Sequence, residues 1–274
     1  MISQTNLAKR KPRGRPRSTY TDSSVSKMQS LDRALGVLIT LAQNSHMSLT
    51  EIALQLDIPT ATTHRILTTL QSRGFVDLQE HDQTWTIGIE AYRTGSSYLN
   101  QTDLLDVSRP VMRTLMEKTG ETVNLAIPDG FDVVFVSQIE ASQPIRASFN
   151  GGTRTPLHAS GIGKAILATW DDDRLARMTQ TRALQAYTDV TITSPDALNA
   201  VLSTIRKTGW AVDAEERYVG MVCIGAAIMD AKGEAIAGIS ISGPANRFAG
   251  ARMGTLGQLV ADAADQICKR IGGG

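Results

Sequence analysis

The sequence is poor in cysteine and aromatic residues, and it contains no long hydrophobic run. Two cysteines in 274 residues are too few for a disulfide framework, so we expect a reducing, cytoplasmic environment. No apolar segment has the length of a membrane span, and no secretory hydrophobic region follows the first residues, so no membrane partner is expected. No cysteine and histidine pair has the spacing of zinc ligands, and no motif requires a cofactor or a metal.

The net charge of +1 hides an uneven distribution of charge along the chain. Residues 1–26 lack the apolar side chains of a core, and we expect them to be disordered on their own. We call this segment the basic arm, because it contains one acid, Asp22, and six bases: Lys9, Arg10, Lys11, Arg13, Arg15 and Arg17. Residues 27–101 are slightly acidic, with seven acids and five bases. The basic arm is therefore the expected source of any salt-dependent affinity for a nucleic acid.

Within the basic arm, the sequence Lys-Pro-Arg-Gly-Arg-Pro-Arg at residues 11–17 resembles an AT-hook. Its prolines hold the chain extended, and its glycine allows a close approach to the floor of a groove. Arg13 and Arg15 can then enter a narrow A·T-rich minor groove, where the negative potential is strongest. The alternative is a solvated basic tail that contacts phosphates without sequence preference.

Residues 48–74 predict two short helices joined by a tight turn. Ser48 and Glu51 form a capping box that starts the first helix, and Pro59 disfavours its continuation. Thr60 can cap the second helix, and Gly74 lies just beyond its end. The second helix has an apolar inner face, which is formed by Ile66, Leu67 and Leu70 with Thr63.

The outer face of this second helix presents Thr62, Arg65 and Thr69 at positions i, i+3 and i+7. Threonine and arginine on one helix face suit base contacts in the major groove of DNA. An ordinary helical hairpin is the alternative, and His64 is either a phosphate contact or a surface histidine without a role. The candidate DNA-binding residues of the helix pair are Thr60, Thr62, Thr63, His64, Arg65 and Thr69.

The flanking sequence favours the DNA-binding interpretation. An amphipathic helix precedes the pair, with Ser30 as its predicted cap and Asp32 in its first turn. Two short β-like segments, Phe75–Leu78 and Trp85–Gly88, follow the pair and are separated by a polar turn. Three helices and a hairpin predict a winged helix-turn-helix domain over residues 27–89.

Residues 90–103 suit a linker helix. A new helix is predicted from Ser108 or Arg109, because Pro110 is favourable in a first turn, and Gly120 is its predicted stop. This helix begins the second domain, residues 104–274.

The second domain alternates strand-like and helix-like segments, which predicts an α+β fold with a mostly antiparallel sheet. The predicted helices start near Ser160 and cover Asp172–Met178, Pro195–Thr208 and Ala251–Ile271. The predicted strands are Glu121–Ile127, Val133–Gln138, Ile145–Phe149, Trp210–Asp213, Val222–Met229 and Ala235–Ser242.

Three segments of this domain together predict a pocket for a small carboxylate. The helix that begins at Ser160-Gly161-Ile162 has free backbone N–H groups and a positive dipole end. Alternation places the hydroxyls of Ser240 and Ser242 on one strand face. Cys223 shares a face with the small residues at 225 and 227, and Asp213 can reach the same space. Each feature also has a structural interpretation: a helix cap, serines bonded to backbone, or tight packing.

The residues of the first domain resemble the DNA-binding domain of the IclR family of bacterial transcriptional regulators. The resemblance is carried by segments 31–34, 49–53, 62–67 and 74–76, and it continues through the second domain. It implies a GAF-like α+β effector-binding domain, binding to promoter DNA, and self-association as a dimer or a tetramer. A linker helix joins the two domains in proteins of this family.

The second domain is most similar to the glyoxylate-responsive members of the family, through segments 120–124, 157–161, 212–216, 219–224 and 239–244. The resemblance implies an effector site at Ser160, Gly161, Ile162, Asp213, Cys223, Ser240, Ile241 and Ser242. Ile162 departs from the small residue of one such relative and narrows the expected pocket. A different small organic acid, pyruvate-like or aromatic, is the alternative effector.

An enzyme that uses Cys223 as its nucleophile is the rival class of function. Such an enzyme needs a base, and His158 is the only histidine in the second half of the chain. Cys223 lies among apolar residues in mid-strand, where a neutral buried thiol is the usual state. The sequence therefore predicts a ligand-responsive DNA-binding regulator, and it leaves the sign of regulation open.

Overall fold

The computed structural model describes residues 28–99, 103–143 and 149–272. The chain forms two compact units, with the boundary between Ser97 and Tyr98. This boundary falls within the segment 90–103 that the sequence predicts as a linker. The two units are described separately below.

The N-terminal unit contains four helices and three short strands in its described part. They are α1 (Gln29–Gln43), β1 (Met47–Ser48), α2 (Leu49–Gln55), α3 (Thr60–Ser72), β2 (Val76–Gln79), β3 (Thr84–Ile87) and α4 (Ile89–Leu99). The strands form an antiparallel sheet in the order β1-β3-β2. Val37, Leu41, Ile52, Leu67 and Trp85 are buried together between the helices and this sheet.

Local interactions explain the start of α2 and the turn after it. The hydroxyl of Ser48 accepts a hydrogen bond from the backbone N–H of Glu51 at 3.3 Å, and the backbone N–H of Ser48 donates to the Glu51 carboxylate at 2.8 Å. Both orphan N–H groups of the helix start are thereby satisfied, so the predicted capping box is confirmed. Asp57 adopts a left-handed backbone, φ +51°, which turns the chain sharply between α2 and α3.

Two predicted caps in this unit are wrong. α1 starts at Gln29, because the carbonyl of Met28 already accepts from the backbone N–H groups of Leu31 and Asp32; Ser30 therefore lies inside the first turn. α3 starts at Thr60 with Pro59 in the cap position, and the Pro59 carbonyl accepts from the first free N–H groups of the helix. A residue without a capping side chain thus precedes each helix, which starts two residues earlier than predicted for α1 and one residue earlier for α3.

The C-terminal unit is built on one antiparallel sheet in the order β6-β5-β4-β9-β8-β7. Its helices are α5 (Leu104–Thr119), α6 (Gly161–Leu167), α7 (Asp172–Thr181), α8 (Pro195–Thr208) and α9 (Arg252–Arg270). Its strands are β4 (Thr122–Asp129), β5 (Asp132–Ile139), β6 (Arg154–Pro156), β7 (Ala211–Ala214), β8 (Met221–Met229) and β9 (Ala235–Pro244). Short 3₁₀ turns, Leu157–Ala159 and Ala245–Arg247, precede α6 and α9.

The sheet separates two hydrophobic cores. One face packs against α5 and α9, with Val123, Ile224, Ile239 and Ile241 among its buried residues. The opposite face packs against α6, α7 and α8, with residues such as Ile162 and Leu202 buried there. The polar residues considered below lie on this second face.

The structure differs from the sequence prediction at α5 and β6. Pro110 lies inside α5 rather than in its first turn, because Leu104, Ser108, Val111 and Leu115 form one continuous buried stripe that begins before the proline. Packing of this stripe outweighs the one backbone hydrogen bond that a proline removes. The predicted strand Ile145–Phe149 lies outside the described residues except for Phe149, which is not in a strand. The edge strand β6 was not predicted.

Candidate DNA-reading helix and effector site

α3 presents an outward face that matches most of the predicted DNA contacts. Thr60, His64, Arg65 and Thr69 are exposed, and Thr62 is half-buried. Thr63 is fully buried, and its hydroxyl donates to the Pro59 carbonyl at 3.3 Å. Its inclusion among the DNA-binding residues is therefore corrected: it supports the start of the helix from inside. Arg13 and Arg15 lie outside the described residues.

The hydroxyl of Thr69 is already used within the helix, since it donates to the carbonyl of Arg65 at 2.7 Å. This bond directs the oxygen toward the backbone. A threonine methyl group can contact the methyl group of thymine, and arginine can form two bonds to guanine. Arg65 and Thr69 therefore remain the predicted base contacts of this face.

The second candidate site is a set of polar side chains on the α6-facing side of the large sheet, which we call the polar face. Strand register aligns two rows across this surface. Asp213, Cys223, Ser242 and Thr122 are successive partners in the first row. Gly225, Ser240, Asn124 and Gln138 are successive partners in the second. Antiparallel pairing therefore brings residues of five strands into one small area.

The start of α6 lies directly on this surface. The hydroxyl of Ser160 caps α6 by accepting from the backbone N–H of Gly163 at 3.0 Å. A side chain at Gly161 would come within 3.0 Å of the Cys223 carbonyl, and one at Gly225 would overlap the backbone of Gly161 and Ile162. Glycine at both positions is thus what allows the first turn of the helix to reach the polar face.

Asp213 is a buried carboxylate with an unusual environment. Its Oδ1 atom accepts from the backbone N–H groups of Glu216, at 2.8 Å, and Arg217, at 3.3 Å. Burial raises the pKa of Asp213 and Glu216 raises it too, while Lys164 and the two backbone hydrogen bonds lower it, so the pKa is about 6. Lys164 and Glu216 form a buried ion pair beside it. The pair and Asp213 together carry one net negative charge when all three groups are ionised.

Cys223 does not have the features of a catalytic nucleophile. Burial raises the pKa of its thiol, Asp213 raises it further, and the hydroxyls of Ser242 and Ser240 oppose these effects. A nucleophilic cysteine needs the opposite shift. Burial lowers the pKa of His158, and its ring contacts the carbonyl of Gln185 at 3.0 Å. The thiol is therefore a small, neutral part of the polar face.

The structure brings together seven of the eight predicted effector residues: Ser160, Gly161, the backbone of Ile162, Asp213, Cys223, Ser240 and Ser242. Ile241 is corrected, because its side chain lies on the opposite face in the core with α5 and α9. The side chain of Ile162 packs against Gly238 in the other core, so it does not narrow the polar face.

Sequence reasoning missed four polar residues of this region. Asn124 and Gln138 are cross-strand partners on the polar face, and Lys164 and Glu216 lie buried beside Asp213. A signal for Asn124 was present, since it is a polar residue in an otherwise apolar strand. Lys164 similarly stands in the apolar first turns of α6. No group of histidine, cysteine and acidic residues within the described ranges has the arrangement of a metal site.

These two sites define a class of protein: a winged helix-turn-helix DNA-binding unit joined to an α+β unit with a polar ligand surface. Residues 30–80 match the family model of the IclR helix-turn-helix domain. Residues 96–269 match that of the bacterial transcriptional regulator IclR C-terminal domain. The chain belongs to the IclR family of bacterial transcriptional regulators, and it is a ligand-responsive DNA-binding regulator rather than an enzyme.

Three bacterial regulators are similar in sequence to almost the whole chain. The HTH-type transcriptional regulator BhcR of Paracoccus denitrificans is 45% identical over 94% of this chain and 92% of its own length. The transcriptional repressor IclR of Escherichia coli is 39% identical, over 95% and 96%. The transcriptional repressor AllR of Escherichia coli is 38% identical, over 89% and 90%.

A solved structure supports the same assignment. The crystal structure of the Thermotoga maritima IclR matches this chain with a TM-score of 0.75 and 30% identity, over 90% of this chain and all of the other. None of the helices in residues 28–99, 103–143 and 149–272 is long and apolar enough to cross a membrane.

Proposed function

We propose that this regulator senses a small carboxylate at the polar face, and that the effector is glyoxylate. The observation that carries the proposal is that donors on β9 and an acceptor on β7 lie on opposite sides of β8. The hydroxyls of Ser240 and Ser242 lie on one side of Cys223 and Asp213 lies on the other, and the first turn of α6 contacts the row between them. A ligand with an acidic end and a hydrogen-bond-donating end satisfies both sides.

Charge limits how glyoxylate can be oriented. The carboxylate of glyoxylate would be repelled by the carboxylate of Asp213. It therefore belongs at the start of α6 beside the serine hydroxyls, where N–H and O–H groups can donate to it. The aldehyde end of glyoxylate in water is largely a hydrate with two hydroxyl groups. Those hydroxyls can donate to the free oxygen of Asp213, whose other oxygen is held by the backbone of Glu216 and Arg217.

Isothermal titration of the full-length protein tests this orientation. Glyoxylate and glycolate should bind, while pyruvate, which lacks a donor in its keto form, should bind at least about tenfold more weakly. The Asp213→Asn variant should lose at least about tenfold in glyoxylate affinity. Asp230→Asn is the matched control, because Asp230 also accepts from two backbone N–H groups but is remote from the polar face.

Undiminished glyoxylate binding by the Asp213→Asn variant would exclude the proposed orientation. Tight binding of pyruvate or of an aromatic acid instead of glyoxylate would identify a different effector and leave the proposed sensing role intact. A gel-shift titration of the upstream intergenic DNA with each acid then connects binding to regulation. Release of the DNA by glyoxylate is the expected result for a repressor, the role that the names of two relatives carry.

We also propose that the protein acts as a dimer or a dimer of dimers. A single α3 reads too few base pairs for a specific site, and two copies double the number of base contacts. Effector binding would favour one arrangement of the linker helices and so change the spacing of the two copies of α3. Analytical ultracentrifugation with and without glyoxylate tests the self-association, and a monomer at the DNA-binding concentration would contradict it.

A further inference from the structure

Asn124 occupies the centre of the polar face and is completely buried. Its side chain has one partner on each side. The Nε2 atom of Gln138 on β5 donates to the Oδ1 atom of Asn124 at 2.8 Å. The Nδ2 atom of Asn124 donates to the hydroxyl oxygen of Ser242 on β9 at 3.2 Å. Three side chains on three adjacent strands thus form one hydrogen-bonded relay, Gln138 to Asn124 to Ser242.

The relay has a direction. Each link donates toward Ser242, so the Ser242 oxygen already accepts one hydrogen bond from within the sheet. Its own O–H hydrogen can be donated to the Cys223 thiol, its cross-strand neighbour, or to a ligand on the polar face. Because the Asn124 amide occupies one lone pair, the O–H hydrogen of Ser242 points away from the amide and is presented as a donor to the polar face.

Ser240 is a second polar side chain of the same surface that points to a ligand. It is completely buried, and its Oγ atom has no hydrogen bond of good geometry to any described residue. It is the cross-strand partner of both Asn124 and Gly225. A buried hydroxyl without a partner is costly unless a bound molecule supplies an acceptor or a donor.

We propose that Asn124 and Gln138 are specificity-determining positioning residues, which orient the hydroxyl of Ser242 as a donor to the effector. The inference rests on the proposed function, and it adds the rule by which the site selects its ligand class. The Ser242 hydroxyl selects a hydrogen-bond acceptor on the ligand, and the Asp213 carboxylate selects a donor. Hydrated glyoxylate and glycolate meet both conditions, whereas oxalate has acceptors at both ends and is rejected at Asp213.

Gln138→Glu tests the relay without changing any group that touches the effector. A carboxylate at residue 138 can only accept, so the Asn124 amide turns its N–H group to it and its oxygen to Ser242. The Ser242 hydroxyl then donates into the sheet and no longer to the ligand. We expect the Kd of glycolate to rise by at least about tenfold, the size of a lost hydrogen bond to a charged group.

Gln138→Met is the matched control, because it has a similar length, adds no charge and removes the relay without reversing it. We expect a rise in Kd of only about two- to fivefold, since Asn124 can still donate to Ser242. Glycolamide, whose amide group can donate to Ser242, supplies the second readout. Its affinity relative to glycolate should rise by about tenfold in Gln138→Glu and stay near the wild-type ratio in Gln138→Met.

Binding measured at low and at high salt distinguishes a reversed relay from charge repulsion between the new carboxylate and the ligand. Repulsion at a distance is screened at high salt, while a reversed hydrogen bond is not. The glycolate-to-glycolamide ratio should therefore persist at high salt, and a ratio that returns to the wild-type value would overturn the relay. Equal glycolate affinity in the wild type and both variants would also overturn it and leave the proposed function intact. A wild-type protein that binds neither glyoxylate nor glycolate would overturn both.

Discussion

The ammonium group of Lys164 contacts the carboxylate of Glu216, and the two side chains are only 1% and 8% exposed. The pair connects α6 to the segment after β7, and the backbone of Glu216 in turn holds Asp213. The Oε2 atom of Glu216 has no hydrogen-bond partner among the described residues. Lys164 therefore neutralises a carboxylate that has few other partners. The ion pair thereby holds α6 and the segment that carries Asp213 in place beside the candidate effector site.

Removal of Lys164 should strongly destabilise the C-terminal unit. Lys164→Met leaves the Glu216 carboxylate buried and unpaired, and we expect the free energy of unfolding to fall by roughly 3–5 kcal/mol. Urea unfolding followed by tryptophan fluorescence measures the change. Lys269→Met is the control, since Lys269 pairs with Asp265 at the surface, where loss of an ion pair changes stability little. Equal losses for both variants would contradict a structural role for the buried pair.

The elevated pKa of Asp213 predicts how stability depends on pH. Burial raises that pKa from 3.8 to about 6, so the folded state binds a proton more readily than the unfolded state between these values. The contribution of Asp213 to stability therefore decreases as the pH rises from about 4 to about 6. Asp213→Asn should remove this dependence and be more stable above pH 6 by roughly 3 kcal/mol.

Urea midpoints measured at a series of pH values compare the two proteins without effector. The wild-type and Asp213→Asn curves should converge near pH 4 and separate toward pH 7. Parallel curves over this range would mean that Asp213 titrates normally and that its burial is relieved in solution.

Gly225 should tolerate no side chain. A Cβ atom there would overlap the backbone of Gly161 and Ile162, so Gly225→Ala must push the start of α6 away from β8. We expect loss of effector binding together with a destabilisation of about 1–3 kcal/mol, measured by titration and by urea unfolding. Gly254→Ala is the matched control, because a Cβ atom in that turn of α9 meets no neighbour. It should stabilise by about 0.5–1 kcal/mol and bind normally.

The local signals in the sequence predicted much of this architecture. The capping box at Ser48 starts α2 and the glycine stop at Gly120 ends α5, as expected. These signals are local, because each depends on residues three or four positions apart. Helix starts made by a backbone carbonyl, as at Met28, leave no such signal and were missed.

The candidate effector site depends on pairing across the sheet, which a single sequence does not contain. Ser240 and Ser242 could be placed on one face by alternation, but their partnership with Asn124 requires the register of β4 against β9. The ion pair of Lys164 and Glu216 joins residues 52 positions apart, and no spacing rule predicts it. Ile241 was predicted only from the resemblance to the family. The alternation of side chains along the strand had correctly placed it on the opposite face of the sheet.

Arg65 should contribute to sequence selection more than to general DNA affinity. It is exposed on α3 and has the geometry to bond two acceptors of a guanine. Arg65→Ala should lower affinity for the specific site by roughly tenfold to a hundredfold, with little effect on random DNA. Fluorescence anisotropy with both DNAs measures the two affinities. Arg73→Ala is the control, since Arg73 is equally exposed but follows the end of α3.

The basic arm should have the complementary effect. Deletion of residues 1–17 removes all six bases of the arm. It leaves the slightly acidic residues 27–101, which include α3, unchanged. Affinity should fall for specific and random DNA alike. The slope of log affinity against log salt should decrease in magnitude by up to about five, since each phosphate contact contributes about 0.9. An unchanged slope would mean that the folded unit makes the phosphate contacts itself. A loss confined to A·T-rich DNA would instead favour minor-groove reading by Arg13 and Arg15.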